Sequence, residues 1–182
     1  MNDRPPPHRL FLFRHAKSAW DDPALRDFER PLAPRGIRAC AAMGALMAEK
    51  GWYPDKALVS AAARTRETWT RLWQAMQAGE RAQPETSYHR DLYLAEPERI
   101  FNIIRTEGGT ARAVLLIGHN PGLQMAAERL AGFGGAALRN TLSEKFPTGA
   151  LAVLDFNIEE WADLYPGTGD LVAFVRPRDI AD

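Results

Sequence analysis

The sequence predicts an α/β fold, a three-layer α/β/α sandwich around a mostly parallel sheet. Short apolar runs alternate along the chain with segments whose apolar residues recur at helical spacing. Two of the runs, residues 10–13 and 113–117, contain no polar residue, which is typical of strands covered on both faces. Strands that alternate with helices form a sheet between two helical layers.

The predicted elements follow one another along the chain without a repeat or a domain linker. We expect residues 1–8, with Pro5-Pro6-Pro7, to be a flexible leader and residues 9–182 to be a single domain. The predicted strands cover residues 9–14, 56–60, 86–90, 113–117, 149–155 and 171–176. The predicted helices cover residues 35–49, 63–77, 97–106 and 121–131.

Two segments, residues 19–34 and 132–148, show neither the apolar spacing of a helix nor that of a strand. Both contain many polar residues and several Gly or Pro. We therefore expect both to be long loops. Loops of this length inside a domain are often functional.

Basic and imidazole side chains follow three of the predicted strands. Arg14 and His15 come directly after the first apolar run, and His119 follows Gly118 at the end of another. Arg64 lies at the start of the helix after the strand at 56–60. Parallel strands end at one edge of a sheet, where open α/β folds place their sites. We therefore expect these four side chains to converge on one pocket.

These residue types suit a phosphoryl group. A guanidinium offers phosphate oxygens a planar fork of donors, and a neutral imidazole is a nucleophile for phosphorus. The charges of Arg14 and Arg64 would keep His15 neutral by repelling a proton. Beside a bound phosphate, the imidazolium form of His119 would instead be stabilised.

The ordered set of motifs resembles the histidine phosphatase superfamily. Arg14-His15-Ala16-Lys17-Ser18 resembles its opening Arg-His-Gly motif, and residues 60–64 resemble its Ser-x-x-x-Arg element. Gly118-His119-Asn120-Pro121 matches the second histidine after a later strand. The short bacterial SixA-type phosphohistidine phosphatases are the most similar branch, through residues 27–32, Arg35-Gly36 and Leu92-Tyr93-Leu94-Ala95.

The resemblance implies a phosphoglycerate mutase-like fold and a phosphatase that needs no cofactor and no metal. It implies that His15 attacks phosphorus and becomes a transient phosphohistidine, while Arg14, Arg64 and His119 hold the phosphoryl group. The expected partner is a phosphorylated protein, a histidine phosphotransfer domain or a carrier, and a phosphate or sulfate ion should occupy the site. Phosphatase or mutase activity on a small phosphate ester is the alternative, and a non-catalytic phosphate-binding domain is the second.

The chain departs from the family pattern at two positions. Ala16 replaces the usual Gly, which would strain a positive φ. Asp21 stands where phosphoglycerate mutases carry an Asn, and a carboxylate repels phosphate. Asp21 and Glu96 are the candidates for a general acid, and a third possibility is that there is none. A phosphohistidine substrate has less need of one, because its imidazole leaving group takes a proton from water.

Composition and the remaining residues restrict other functions. The 23 basic and 23 acidic side chains give no net charge, so we expect neither nucleic acid nor membrane as a partner. No signal peptide is evident, so the cytoplasm is the expected location. The histidines lack metal-ligand spacing, and Cys40, the only cysteine, is expected to be buried and inert. His8 and His89 have no motif around them and are treated as non-catalytic. Four basic residues of the two long loops and their borders could touch a substrate, although a solvated surface charge is the expected role of each: Lys17, Arg30, Arg139 and Lys145. Trp20 is expected to pack, with a place in the pocket lining as the alternative.

Overall fold

The computed structural model describes residues 7–76, 79 and 81–180. Most of the expected leader, residues 1–6, lies outside these residues. His8, which the sequence analysis assigned to the leader, is instead the buried first residue of a strand. No helix in the described part of the chain is both long and apolar enough to cross a membrane.

The described residues form seven strands and five α-helices. The strands are β1 (His8–Arg14), β2 (Lys56–Ser60), β3 (Glu85–His89), β4 (Ala113–Gly118), β5 (Ala131–Phe133), β6 (Leu151–Phe156) and β7 (Gly169–Val175). The helices are α1 (Pro34–Glu49), α2 (Ala63–Ala75), α3 (Pro97–Glu107), α4 (Gly122–Leu130) and α5 (Ala136–Glu144).

The strands form one sheet in the order β3-β2-β4-β1-β6-β7-β5. The pairs from β3 to β1 are parallel, β6 runs antiparallel to both of its neighbours, and β5 is parallel to β7. The sheet is therefore mostly parallel, as predicted.

Alternate residues of β1 pack into two separate apolar cores, because successive side chains of a strand point to opposite faces. Phe11 and Phe13 pack with apolar residues of α1 and α2. Leu10 and Leu12 pack on the other face with those of α3, α4 and α5. The helices thus cover both faces of the sheet, and the predicted α/β/α sandwich is confirmed.

The prediction of a loop over residues 132–148 is wrong. This segment contains the end of β5 and the whole of α5. Leu138 and Leu142 are the only large apolar residues of α5, and Leu142 is its single buried residue, so the sequence there carries little apolar signal for a helix. The predicted loop at 19–34 has little regular structure, with a 3-10 turn at Asp27–Glu29 and a bridge between Ser18 and Leu32.

The parallel register brings the predicted strand ends together. Arg14 is the register partner of Gly118, so the residues that follow β1 and β4 start side by side. The chain before β6 joins them, because the Gly149 N–H donates to the carbonyls of both Arg14 and His15 at 3.0 and 3.1 Å.

Candidate active site

The four predicted side chains meet at the carboxyl edge of the parallel strands. The imidazole centroids of His15 and His119 are 5.1 Å apart. Arg64 reaches both rings, with Nε 3.4 Å from His15 Nε2 and Nη2 3.3 Å from His119 Nδ1. Arg14 lies close enough to repel a proton on either imidazole. His15, Arg64 and His119 are therefore in direct contact, and Arg14 lies within electrostatic range of both imidazoles.

The protonation of His15 follows from its hydrogen bonds. Its Nδ1 lies 2.8 Å from the carbonyl oxygen of Ala16, which can only accept, so Nδ1 carries the proton. Nε2 then holds a lone pair and accepts from the Arg64 Nε–H. Ala16 lacks a positive φ, so this replacement of Gly introduces no backbone strain.

Burial lowers the pKa of His15 from 6.5 to about 3. The hydrogen bond to Ala16 opposes this change, and the charges of Arg64, Arg14 and Arg30 add to it. The imidazole is therefore neutral and nucleophilic at neutral pH. Sequence reasoning identified the arginines as the cause, whereas burial has the larger effect.

His119 is also held as a neutral imidazole. Its Nδ1 accepts from Arg64, so Nε2 carries the proton and donates to Ser60 Oγ at 2.7 Å. Burial is the main reason that its pKa is lowered, and the neighbouring His15 and Arg64 lower it further. Tyr93 packs edge-on against the ring, with centroids 5.3 Å apart. Ser60 and Tyr93 thus fix this imidazole from two sides.

The guanidinium of Arg64 is fixed by Asp27, which the sequence analysis did not select. Nη1 donates to the Asp27 backbone carbonyl at 2.6 Å, and Nη2 donates to Oδ2 at 3.0 Å. One edge of the planar fork is therefore occupied by Asp27. The other edge, formed by Nε and Nη2, is directed at the two imidazoles.

The Asp27 carboxylate also connects two further residues to the site. Oδ1 accepts from Arg30 Nη2 at 2.7 Å, and Oδ2 accepts from the Tyr93 hydroxyl at 2.5 Å. The Tyr93 hydrogen bond is the main cause that lowers the pKa of Asp27 to about 2, with help from both arginines. Asp27 is thus an anion at neutral pH and serves as an acceptor.

Arg14 has a free donor inside the site. Its Nη1 donates to the Phe146 carbonyl at 2.8 Å. Its Nε is buried and makes no hydrogen bond to any described residue. Burial, followed by the charge of Arg64, lowers the pKa of this guanidinium. An unused buried N–H beside a second guanidinium suits an anionic oxygen.

The two carboxylates considered as general acids lie outside this cluster. Asp21 and Glu96 are exposed, and neither side chain has a hydrogen bond or ion pair to another described residue. The backbone of Glu96 packs against the start of α4, where a Cβ on Gly122 would lie 3.3 Å from its Cα.

Arg30 and Trp20 differ from expectation. Arg30 is buried, so the interpretation of this residue as a solvated surface charge is wrong. Trp20 is 71% exposed and covers the guanidinium, with Cζ of Arg30 3.3 Å from its ring centroid. Cys40 is buried as predicted, and burial raises its pKa to about 12. Across residues 7–76, 79 and 81–180, no three His, Cys, Asp or Glu side chains form a group that could hold a metal.

The chain is similar to proteins whose roles are not described. It is 38% identical over 167 residues to an uncharacterized protein of Mycobacterium tuberculosis, across 91% of this chain and 99% of that one. It is 30% identical over 188 residues to an uncharacterized chloroplastic protein of Arabidopsis thaliana, across 93% of this chain and 78% of that one. No protein-family model matches the chain.

The chain is also similar to solved structures, and several of these carry an assigned activity. A protein of Agrobacterium tumefaciens assigned as the phosphohistidine phosphatase SixA is 31% identical, with a TM-score of 0.76 over 94% of this chain and 99% of that one. A protein of Nakamurella multipartitia with the same assignment is 28% identical, with a TM-score of 0.80 over 96% and 99%. The protein histidine phosphatase SixA bound to tungstate is 18% identical and shares the fold, with a TM-score of 0.71 over 95% and 99%.

Proposed function

This chain belongs to the histidine phosphatase superfamily and is of the SixA type, and from this premise we propose that it hydrolyses phosphohistidine on a protein through a covalent intermediate on His15. The observation that carries the proposal is the state of His15. Its Nε2 holds a lone pair, because Nδ1 donates to Ala16, and it faces a guanidinium edge that His119 also contacts.

The first step transfers the phosphoryl group to the enzyme. A bond forms between phosphorus and His15 Nε2 while the bond between phosphorus and the substrate imidazole nitrogen breaks. The other nitrogen of that ring takes a proton from water, so the ring leaves as a neutral imidazole. Negative charge spreads over the three equatorial oxygens in the transition state. The Nε and Nη2 groups of Arg64 and the unused Nε–H of Arg14 are the donors that stabilise it.

The second step releases phosphate. Water attacks phosphorus, the bond to His15 Nε2 breaks, and its electron pair returns to the imidazole. The proton lost by water is taken up by the departing phosphate. While the His15 ring is phosphorylated it carries a positive charge, and its Nδ1–H bond to the Ala16 carbonyl stabilises that charge. His119, held by Ser60, faces the same phosphoryl oxygens and becomes a donor once their charge raises its proton affinity.

The groups around His15 favour an N-phosphate over an alkyl ester. An alkoxide leaving group needs a carboxylic acid to protonate it. Asp27 is the carboxylate next to the cluster, and its lowered pKa, about 2, keeps it ionised. Among the described residues, the side chains of Asp21 and Glu96 make no hydrogen bond or ion pair with the four site residues. An imidazole leaving group takes its proton from solvent, so this arrangement suffices for phosphohistidine. The tungstate bound by the similar SixA protein agrees with a tetrahedral oxyanion site in this fold.

A comparison of four substrates tests the proposal. We would measure kcat/KM for a protein phosphorylated on histidine, for free phosphohistidine, for phosphoglycerate and for a simple alkyl phosphate. The phosphohistidine protein should be the preferred substrate. A higher kcat/KM for phosphoglycerate or the alkyl phosphate would assign the chain to small-molecule chemistry. Tight phosphate binding with no turnover of any of the four would indicate a binding domain.

A further inference from the structure

A cavity of about 200 Å³ lies beside the candidate active site, on the side of α1. It is lined by Lys17, by two residues of α1, and by residues 147–148 and 176–178. Lys17 is two residues from His15, and the opposite wall leads into Gly149, whose N–H donates to the His15 carbonyl. The cavity therefore adjoins the backbone that carries His15, and none of the four site side chains lines it.

The cavity is lined by cations and by no carboxylate. Its charged residues are Lys17, Arg35, Arg176 and Arg178. Arg176 is neutralised by Asp179, which accepts from its Nε at 2.8 Å. Among the described residues, the side chains of Lys17, Arg35 and Arg178 have neither an ion pair nor a hydrogen bond. Asp179 also lies within electrostatic range of Arg178, and Glu144 within range of Arg176. In a chain whose formal net charge is zero, the cavity is still a local excess of positive charge.

The start of α1 adds to this charge. The helix has 16 residues, and no side chain caps its first turn. A Cβ on Gly36 would lie 2.2 Å from the Lys17 carbonyl oxygen, so the helix start rests directly on the backbone beside His15. Unpaired N–H groups and the helix dipole favour an anion at such an end. The cavity, the three cations and the helix end all favour a negatively charged ligand.

We propose that this cavity binds acidic side chains of the protein substrate that flank its phosphohistidine. The inference rests on the proposed function. Arg35 and Arg178 are exposed, and exposed cations hold a single small anion weakly. Carboxylates on a substrate whose phosphohistidine already occupies the site are presented at high effective concentration, so the same weak contacts then add up. The cavity thus selects acidic protein segments and contributes little to a small substrate.

Matched peptides test this. One carries a single phosphohistidine with two Asp on each side, a second has Asn at those positions, and free phosphohistidine serves as the substrate without flanks. For the wild-type protein, we expect a KM roughly three- to tenfold lower for the Asp peptide than for the Asn peptide at low salt. The difference should vanish at about 0.5 M salt, where screening is strong.

Charge-reversal variants locate the effect. Arg35→Glu and Arg178→Glu should each remove the preference for Asp flanks and leave kcat/KM for free phosphohistidine unchanged. Arg38→Glu is the matched control, because Arg38 is also exposed on α1 but does not line the cavity. This control should keep the preference. Thermal unfolding identifies any reversal that merely destabilises the fold, and Arg35→Ala then replaces it.

Three results would overturn the docking proposal alone: no preference for Asp flanks in the wild type, an equal loss in Arg38→Glu, or a parallel loss on free phosphohistidine. The first result would mean that the cavity contributes nothing to substrate binding. The second would mean that the general surface charge, and not the cavity, causes the preference. The third would mean that the altered residue acts within the catalytic site. A wild-type protein that hydrolyses neither peptide nor free phosphohistidine would overturn the proposed function itself, and the docking role with it.

Discussion

Asp27 and Arg64 are joined by two hydrogen bonds that fix the direction of the Arg64 guanidinium. The backbone carbonyl and the carboxylate of Asp27 take one edge of the fork, at 2.6 and 3.0 Å, and the remaining edge is directed at His15 and His119. A side chain in the loop after β1 thus orients the principal cation of the site. The loop and helix α2 therefore fix the direction of this guanidinium together.

Loss of this contact should reduce turnover more than folding. In Asp27→Ala the Arg64 fork loses its carboxylate partner, and a displacement of about 1 Å at a catalytic group costs on the order of 10²-fold in rate. We expect kcat to fall roughly ten- to a hundredfold, with a smaller change in KM. Asp27→Glu should recover part of this loss.

The control for Asp27 is Asp22→Ala in the same loop. The Asp22 carboxylate accepts only from the Ala24 N–H, at 2.9 Å, so its loss should leave kcat within about twofold. An equal decrease in both variants would mean that the loop, and not the Asp27 contact, determines the rate.

The covalent intermediate should reside on His15 alone. Rapid acid-free quenching of wild-type turnover with ³²P-labelled substrate should give an acid-labile label, and His15→Ala should give none. His119→Ala should still become labelled, at a lower rate, because the nucleophile remains while a contact to the phosphoryl group is lost. EDTA should leave turnover intact. Label in His15→Ala, or inactivation by EDTA, would contradict the mechanism.

Much of this site was predictable from local sequence pattern. Arg14, His15, Arg64 and His119 each follow an apolar run, and the parallel register of β1, β2 and β4 then brings them together without further information. Asp27 gave no such signal, since its contact with Arg64 spans 37 residues and depends on the path of a loop. The path of a loop depends on its packing against distant residues, and the spacing of apolar residues in the sequence does not predict that packing.

Burial and weak amphipathicity account for the remaining differences. Arg30 was read as a solvated charge because Arg is rarely buried, and only the paired Asp27 and the covering Trp20 make its burial favourable. The sequence favours a loop at α5 because this helix has only two large apolar residues, Leu138 and Leu142, of which one is buried. Both errors arise where partners distant in sequence decide the local structure.

Stability should fall with acid in a window set by the buried imidazoles. The pKa of His15 is lowered from 6.5 to about 3 in the folded chain, and that of His119 is lowered as well. Between these values the unfolded chain binds protons that the folded chain does not, so the free energy of unfolding decreases as pH falls from about 6.5 towards 3. Asp27 has a folded pKa of about 2 and adds stability that is lost only below its unfolded value of 3.8.

Urea denaturation at pH 7.5 and pH 5 measures this effect. The decrease in the free energy of unfolding should be smaller in His15→Asn, where the amide replaces the Nδ1–H donor to Ala16 without a titrating group. His89→Asn is the control, because this histidine lies 3.3 Å from Glu107 at the far edge strand β3. An unchanged acid dependence in His15→Asn would show that the folded pKa of His15 is not lowered.

The identity of the leaving group should decide the rate, because no described residue supplies the site with a protonated carboxylic acid. Protonation of an alkoxide by an acid is worth on the order of 10²–10⁴ in rate, whereas an aryl oxide leaves without it and an imidazole takes its proton from solvent. We expect an aryl phosphate to be hydrolysed much faster than an alkyl phosphate, and a phosphohistidine peptide faster than either. Asp21→Ala and Glu96→Ala should retain most activity on all three, because neither exposed carboxylate has a hydrogen bond or ion pair to another described residue. If Glu96→Ala selectively abolished a rapid hydrolysis of the alkyl phosphate, Glu96 would be the general acid, and the chain would act on phosphate esters instead.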